Sequence, residues 1–138
     1  MKKKFICLLL IFSLLSCNQE ITDKDIPKIN GYWEIEKVIL PNGEKKLYKM
    51  NETIDYFEVK NNKGFRKKVT PQFDGSYLVN NEFEAISISK KENVYSIKYK
   101  TKYASFEEKI IEIRDSILVL KNDSLEYHYK KSIPFSVK

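Results

Sequence analysis

Residues 94–101 read VYSIKYKT, and their side chains alternate in character. Tyr95, Ile97, Tyr99 and Thr101 fall on one face of an extended chain, with Ser96, Lys98 and Lys100 on the other. Residues 125–130, LEYHYK, repeat the pattern, setting Leu125, Tyr127 and Tyr129 against Glu126, His128 and Lys130. A period of two belongs to a strand with one dry and one wet face. Strand-forming runs occupy 31–40, 53–60, 64–70, 76–80, 83–90, 94–101, 106–114, 116–121 and 124–131. Turn-forming groups separate them: Pro41-Asn42-Gly43, Asn61-Asn62-Lys63-Gly64, Phe73-Asp74-Gly75, Lys91-Glu92-Asn93, Arg114-Asp115-Ser116 and Asn122-Asp123-Ser124. Helical spacing is confined to a short turn's worth at 44–51. The expected fold is all-β, a single antiparallel up-and-down β-barrel of eight or nine strands. A meander with one apolar face avoids unpaired edges by closing on itself. The apolar parity slips at Glu36/Lys37 and at Ala85/Ile86, where a bulge or sharp bend is expected.

The first thirty residues do not share this pattern. Met1 to Lys4 form a basic head, and residues 5–15 are apolar apart from Cys7 and Ser13. The run has the length of a secretory signal, about 7–15 residues, and is short of the roughly 20 needed to span a bilayer. It also lacks the polar face of a helix packed on a core. Leu14-Leu15-Ser16-Cys17 resembles the bacterial lipobox, in which the signal is removed before a cysteine carrying diacylglycerol. That resemblance makes residues 1–16 a cleaved lipoprotein signal peptide and Cys17 the lipid attachment site. Residues 17–30 then read as the lipidated N-terminus and a polar tether, 31–131 as the barrel, and 132–138 as a C-terminal tail. Cys7 and Cys17 are the two cysteines, so the barrel stands without a disulfide. Loss of Lys2, Lys3 and Lys4 lowers the formal net charge from +6 to +3, a weak basis for nucleic-acid binding, and no nucleic-acid partner is expected. Asn18, rather than Asp, after Cys17 favours the outer membrane over inner-membrane retention. The acidic Glu20, Asp23 and Asp25 resemble the acidic stretch that can accompany export to the cell surface in Bacteroidetes, and the periplasmic and surface sides both stay open.

Gly31-Tyr32-Trp33, opening the first strand behind a polar leader, resembles the G-x-W signature of lipocalins and related calycin barrels. Behind a lipobox, the whole chain is similar to the small lipocalin-like lipoproteins of Bacteroidetes. The resemblance implies that Gly31 and Trp33 lie at the closed end of the barrel, under a basic side chain from the last strand. Lys130 is the expected residue there, with Lys131 beside it.

Catalytic and metal chemistry find little support. His128 is the single histidine, and the mature chain would have no free thiol, so no zinc set is expected. There is no calcium-loop pattern, no G-x-S-x-G and no triad. Glu107 and Glu108 are adjacent, so in a strand they face opposite sides and cannot share a substrate. No cofactor and no enzymatic activity are expected. Lys63, Arg66, Lys67 and Lys68, and the row Lys98, Lys100 and Lys102, read as a solvated outer face, with contact to anionic lipid headgroups or an acidic partner as the alternative. Asp115-Ser116-Ile117 and Asp123-Ser124-Leu125 resemble the Bacteroidetes O-glycosylation pattern, at turns where Asp-Ser is also ordinary turn chemistry. Tyr95, Ile97, Tyr99, Tyr127 and Tyr129 fall on inward faces. They either fill the interior or line a cavity for a small apolar ligand, with phenol hydroxyls as polar handles. The expected function is a membrane-anchored carrier of such a ligand in the cell envelope. The alternative is a protein-interaction module working through its outer face: an envelope-complex accessory, an inhibitor or an immunity protein.

Overall fold

The computed structural model describes residues 20–134. A short 3-10 turn, Ile26–Ile29, leads into ten strands: β1 (Gly31–Ile39), β2 (Lys45–Leu47), β3 (Ile54–Lys60), β4 (Lys63–Pro71), β5 (Tyr77–Val79), β6 (Glu84–Lys91), β7 (Val94–Lys100), β8 (Ser105–Ile113), β9 (Ile117–Lys121) and β10 (Glu126–Lys131). The wall runs β1, β3, β4, β6, β7, β8, β9, β10, and β10 pairs back onto β1 from Trp33–Lys131 to Ile39–Glu126. Every pairing is antiparallel, so the barrel closes with eight strands. The short β2 and β5 are arms on β1 and β4.

Alternation and turn chemistry explain most of these boundaries. Asn61 and Asn62 (φ 51° and 64°) join β3 to β4, and Glu92 and Asn93 (φ 51° and 65°) join β6 to β7. Two consecutive positive φ angles give a two-residue turn whose hand matches the twist of the flanking strands. Residues 45–47 form a strand where a helical turn was expected. Asn42-Gly43 closes a hairpin in which Leu40 N–H donates to the Glu44 carbonyl (2.8 Å), laying Lys45–Leu47 along β1.

The register of β1 against β10 shifts between Ile35 and Lys37, at the expected slip. None occurs at Ala85/Ile86, where the pairing with β7 is continuous. The parity breaks there because Phe83 lies outside the barrel, edge-on to Phe65 (6.2 Å). A second shift, unforeseen, falls between Ile110 and Glu112 and leaves Ile111 exposed.

One end of the barrel is closed by residues assigned above to a tether. Ile26 and Ile29 are buried with Trp33, Phe57, Ile88, Tyr95, Ile97, Ile110, Ile113 and Leu118, and Ile21 packs against that cluster. The Tyr95 phenol donates to the Asp23 carboxylate, and Lys28 pairs with Asp25 at 2.8 Å. Residues 21–30 therefore belong to the folded domain. Their three isoleucines follow neither a period of two nor one of 3.6, so the segment reads as polar linker in sequence.

Candidate functional site

The G-x-W residues are at the closed end. Trp33 is fully buried, and its indole N–H donates to the Ile29 carbonyl at 2.7 Å. The basic residue over its ring is Lys131, with Nζ 4.5 Å from the ring centroid; Lys130 is exposed on the other face of β10. Alternation allows one of two neighbouring lysines to point inward, and pairing of Lys131 with Trp33 selects it over Lys130. Lys131 Nζ also donates to the Asn30 carbonyl at 2.6 Å, and burial lowers its pKa. Gly31 has φ +118°, a backbone conformation that favours glycine, and a Cβ there would lie 2.8 Å from Lys131 Nζ and oblige the lysine to shift.

From Asp55, the register partner of Trp33, towards the connections after β1, β4, β7 and β9, the interior contains a buried polar cluster. Arg66 on β4 stands across from Phe57 on β3 and Glu84 on β6. Its guanidinium donates to both oxygens of Glu84, Nε to Oε1 and Nη2 to Oε2, each at 2.9 Å. It lies 4.3 Å from the centroid of Tyr99, which stacks on Phe106 at 4.6 Å. Arg66 Nη1 is 3.7 Å from Glu108 Oε1, beyond hydrogen-bond range. Glu108 is 5% exposed. Asp55, 3% exposed, pairs with the rim residue Lys68 at 2.6 Å from Oδ1, an ion pair without hydrogen-bond alignment. Glu108 Oε1 and the Tyr99 hydroxyl are buried without a hydrogen-bond partner.

Burial sets the electrostatics. It raises the Glu108 pKa, and the Tyr99 hydroxyl and Arg66 offset only part of the rise. It also pushes Tyr99 and Tyr129 well above the ordinary phenol range, helped by Glu108 and Asp55 respectively. At Arg66 burial acts against the charge, but Tyr99, Asp55 and Glu84 together outweigh it, and the guanidinium is held protonated.

The sequence-derived candidates divide between the apolar core and the polar cluster. Tyr95, Ile97, Tyr99 and Tyr129 are buried in the core cluster, and Tyr127 packs against it. Tyr95 and Ile97 sit deep among the packed apolar residues, while Tyr99 reaches the polar cluster. Of the surface concavities, one between β6, β7 and β8 is bordered by Tyr99 and Phe106, and others lie along Glu107–Lys121 and Glu34–Lys130 on the outer wall. Cys17 lies outside the described residues. His128 pairs with Glu126 at 2.7 Å, and Ser116 and Ser124 are exposed at turns.

Arg66 was expected on the wet face and is inside. The odd-numbered Phe65 and Val69 suggest the dry side of β4, but Phe65 packs outside against Tyr56 (6.1 Å), so the inward positions are Gly64, Arg66 and Lys68. The signal that could have found it is Glu84 and Glu108. Both share strand parity with inward apolar residues, Ile86 and Ile110, and a buried carboxylate requires a partner cation.

A family model described as a lipocalin-like domain matches residues 29–120. Among solved structures, the fold is similar to a lipocalin-like protein from Bacteroides uniformis, with TM-score 0.50 and 15% identity, covering 76% of this chain and 99% of that one. An uncharacterized protein from Bacteroides eggerthii aligns with TM-score 0.48 and 17% identity over 75% of this chain and 98% of that one. No curated protein matches the chain. Eight-strand barrels of this type have room for filling side chains or one small ligand, and in general they serve as binding scaffolds rather than catalysts. With the match covering more than half its length and the motif tryptophan at the barrel's closed end, the chain belongs to the lipocalin-like domain family.

Proposed function

We propose that this protein binds a small molecule in the barrel interior around Arg66, and does so as a lipoprotein held at the outer membrane by lipid on Cys17. The observation that carries the binding reading is the polar cluster around Arg66, set among aromatic rings with three buried oxygens lacking hydrogen-bond partners, those of Asp55, Tyr99 and Glu108. Ligand sites are typically apolar concavities with a few fixed polar groups, and leaving a buried polar group unmatched costs about 1–3 kcal/mol. A ligand that supplies the missing partner recovers that cost. The apolar part of the ligand would rest on Tyr99 and Phe106. The anchoring reading rests on the lipobox-like residues ending at Cys17.

Native mass spectrometry of the purified protein after exposure to an extract of its host tests the binding. A discrete added mass of small-molecule size is expected; a bare mass with no uptake overturns the reading. Cys17→Ala should abolish incorporation of labelled fatty acid and leave an uncleaved precursor, whereas a lipidated, processed variant would refute the anchor.

The second reading, a protein-interaction module, has its own observation. Tyr77, Tyr32, Tyr56, Phe65 and Phe83 form a continuous aromatic row outside the barrel, with centroids 4.0, 4.7, 6.1 and 6.2 Å apart in that order. A bare mass in the first experiment would make that row the surface to pursue.

A further inference from the structure

We infer that the interior site selects small molecules carrying an ammonium group on a compact apolar body, and that Glu108 is the residue that meets the ammonium. This rests on the barrel interior being the binding site and adds the chemistry of its ligand.

The cluster's cations already face carboxylates. Arg66 uses Nε and Nη2 on Glu84, and its remaining Nη1 lies 3.7 Å from Glu108, so an incoming carboxylate would compete with one already there. Lys68 is engaged by Asp55. What remains unmatched accepts hydrogen bonds: Glu108 Oε1, with its nearest cation 3.7 Å away, and the Tyr99 hydroxyl, which can also accept. The formal charges agree. Asp55, Glu84 and Glu108 face Arg66 and Lys68, so this cluster carries one excess negative charge when all are ionised.

The surroundings suit a cation as well. Ring faces attract positive charge, and the Tyr99–Phe106 stack flanks the cluster with Phe106 partly exposed. An anionic head would approach three carboxylates whose cations are taken. A metal ion is a poorer fit, because among the described residues no group of three or more His, Cys, Asp or Glu side chains gathers with metal-holding geometry. An ammonium donates three hydrogen bonds from one centre and can serve Glu108 and Tyr99 together.

The test compares three ligands of nearly equal size by isothermal titration of the purified protein: 2-phenylethylamine, 2-phenylethanol and 3-phenylpropanoate. The amine should bind about tenfold tighter than the alcohol, a difference of about 1.4 kcal/mol, and the carboxylate weakest. Glu108→Gln should abolish the preference for the amine. Equal or tighter binding of the alcohol or the carboxylate by the wild type overturns the inference while leaving small-molecule binding intact. That comparison needs no variant. A Glu108→Gln protein that binds the alcohol and still prefers the amine removes Glu108 from the role. Failure of all three ligands, together with a bare mass after exposure to host extract, overturns the inference and the binding reading beneath it.

Discussion

Arg66 and Glu108 show how much of this barrel depends on single side chains facing inward. Arg66→Leu should destabilise the fold by about 3–5 kcal/mol, because it strands Glu84 and Glu108 without a cation in a dry setting. Urea denaturation followed by far-UV circular dichroism measures the loss. Glu108→Gln should act in the opposite direction at neutral pH. Burial holds the Glu108 pKa above its ordinary value of 4.5 in the folded state, so folding favours the uncharged carboxyl. Wild-type stability therefore falls relative to the variant as pH rises from about 4.5 through the raised folded-state pKa. The two should converge below pH 4.5, and parallel stability curves from pH 3 to 8 would contradict this assignment. A residue that weakens the fold where it sits is the pattern expected of a group kept for binding. Its partner was not legible in the sequence. Arg66 stands among Lys63, Lys67 and Lys68, and composition alone cannot separate one inward guanidinium from a wet basic face.

Among the elements, the strands were the readable part. Alternation in β7 and β10 and the paired-Asn turn after β3 are local signals, and the chain follows them. The strap at 20–30 was unreadable, because its burial depends on where a barrel wall stands rather than on any local period. Its docking can be followed through one phenol. The hydrogen bond to Asp23, with burial second, pushes the Tyr95 pKa up to about 12. A raised phenol pKa means that the contact contributes fully below the ordinary value of 10 and is lost as pH rises through about 12. In a difference titration of phenolate absorbance between wild type and Tyr95→Phe, the missing tyrosine should titrate near 12. Asp23→Asn should move that component down. A Tyr95 component near 10 in the wild type would mean that the strap is not docked through this pair.

For the molecule as a whole, closure makes one cooperative unit. Trp33 is the single tryptophan in the chain, buried where β1, β10 and the 3-10 turn meet. Its fluorescence should be shielded from iodide in the native state and should change at the same urea concentration as the far-UV signal, as two-state unfolding requires. An earlier fluorescence transition would show the closed end opening before the wall.

The docked strap also has a geometric consequence. Between Cys17 and the packed Ile21 there are four residue steps, an extended reach of at most about 14 Å. A lipid on Cys17, as proposed, would thus be a short leash fastened at the Trp33 end. The barrel would stand on the bilayer with its sealed floor down and its charged half pointing into the water, about one barrel length from the lipid. Exchange would then take place with solutes of the aqueous compartment rather than with molecules lifted sideways out of the membrane.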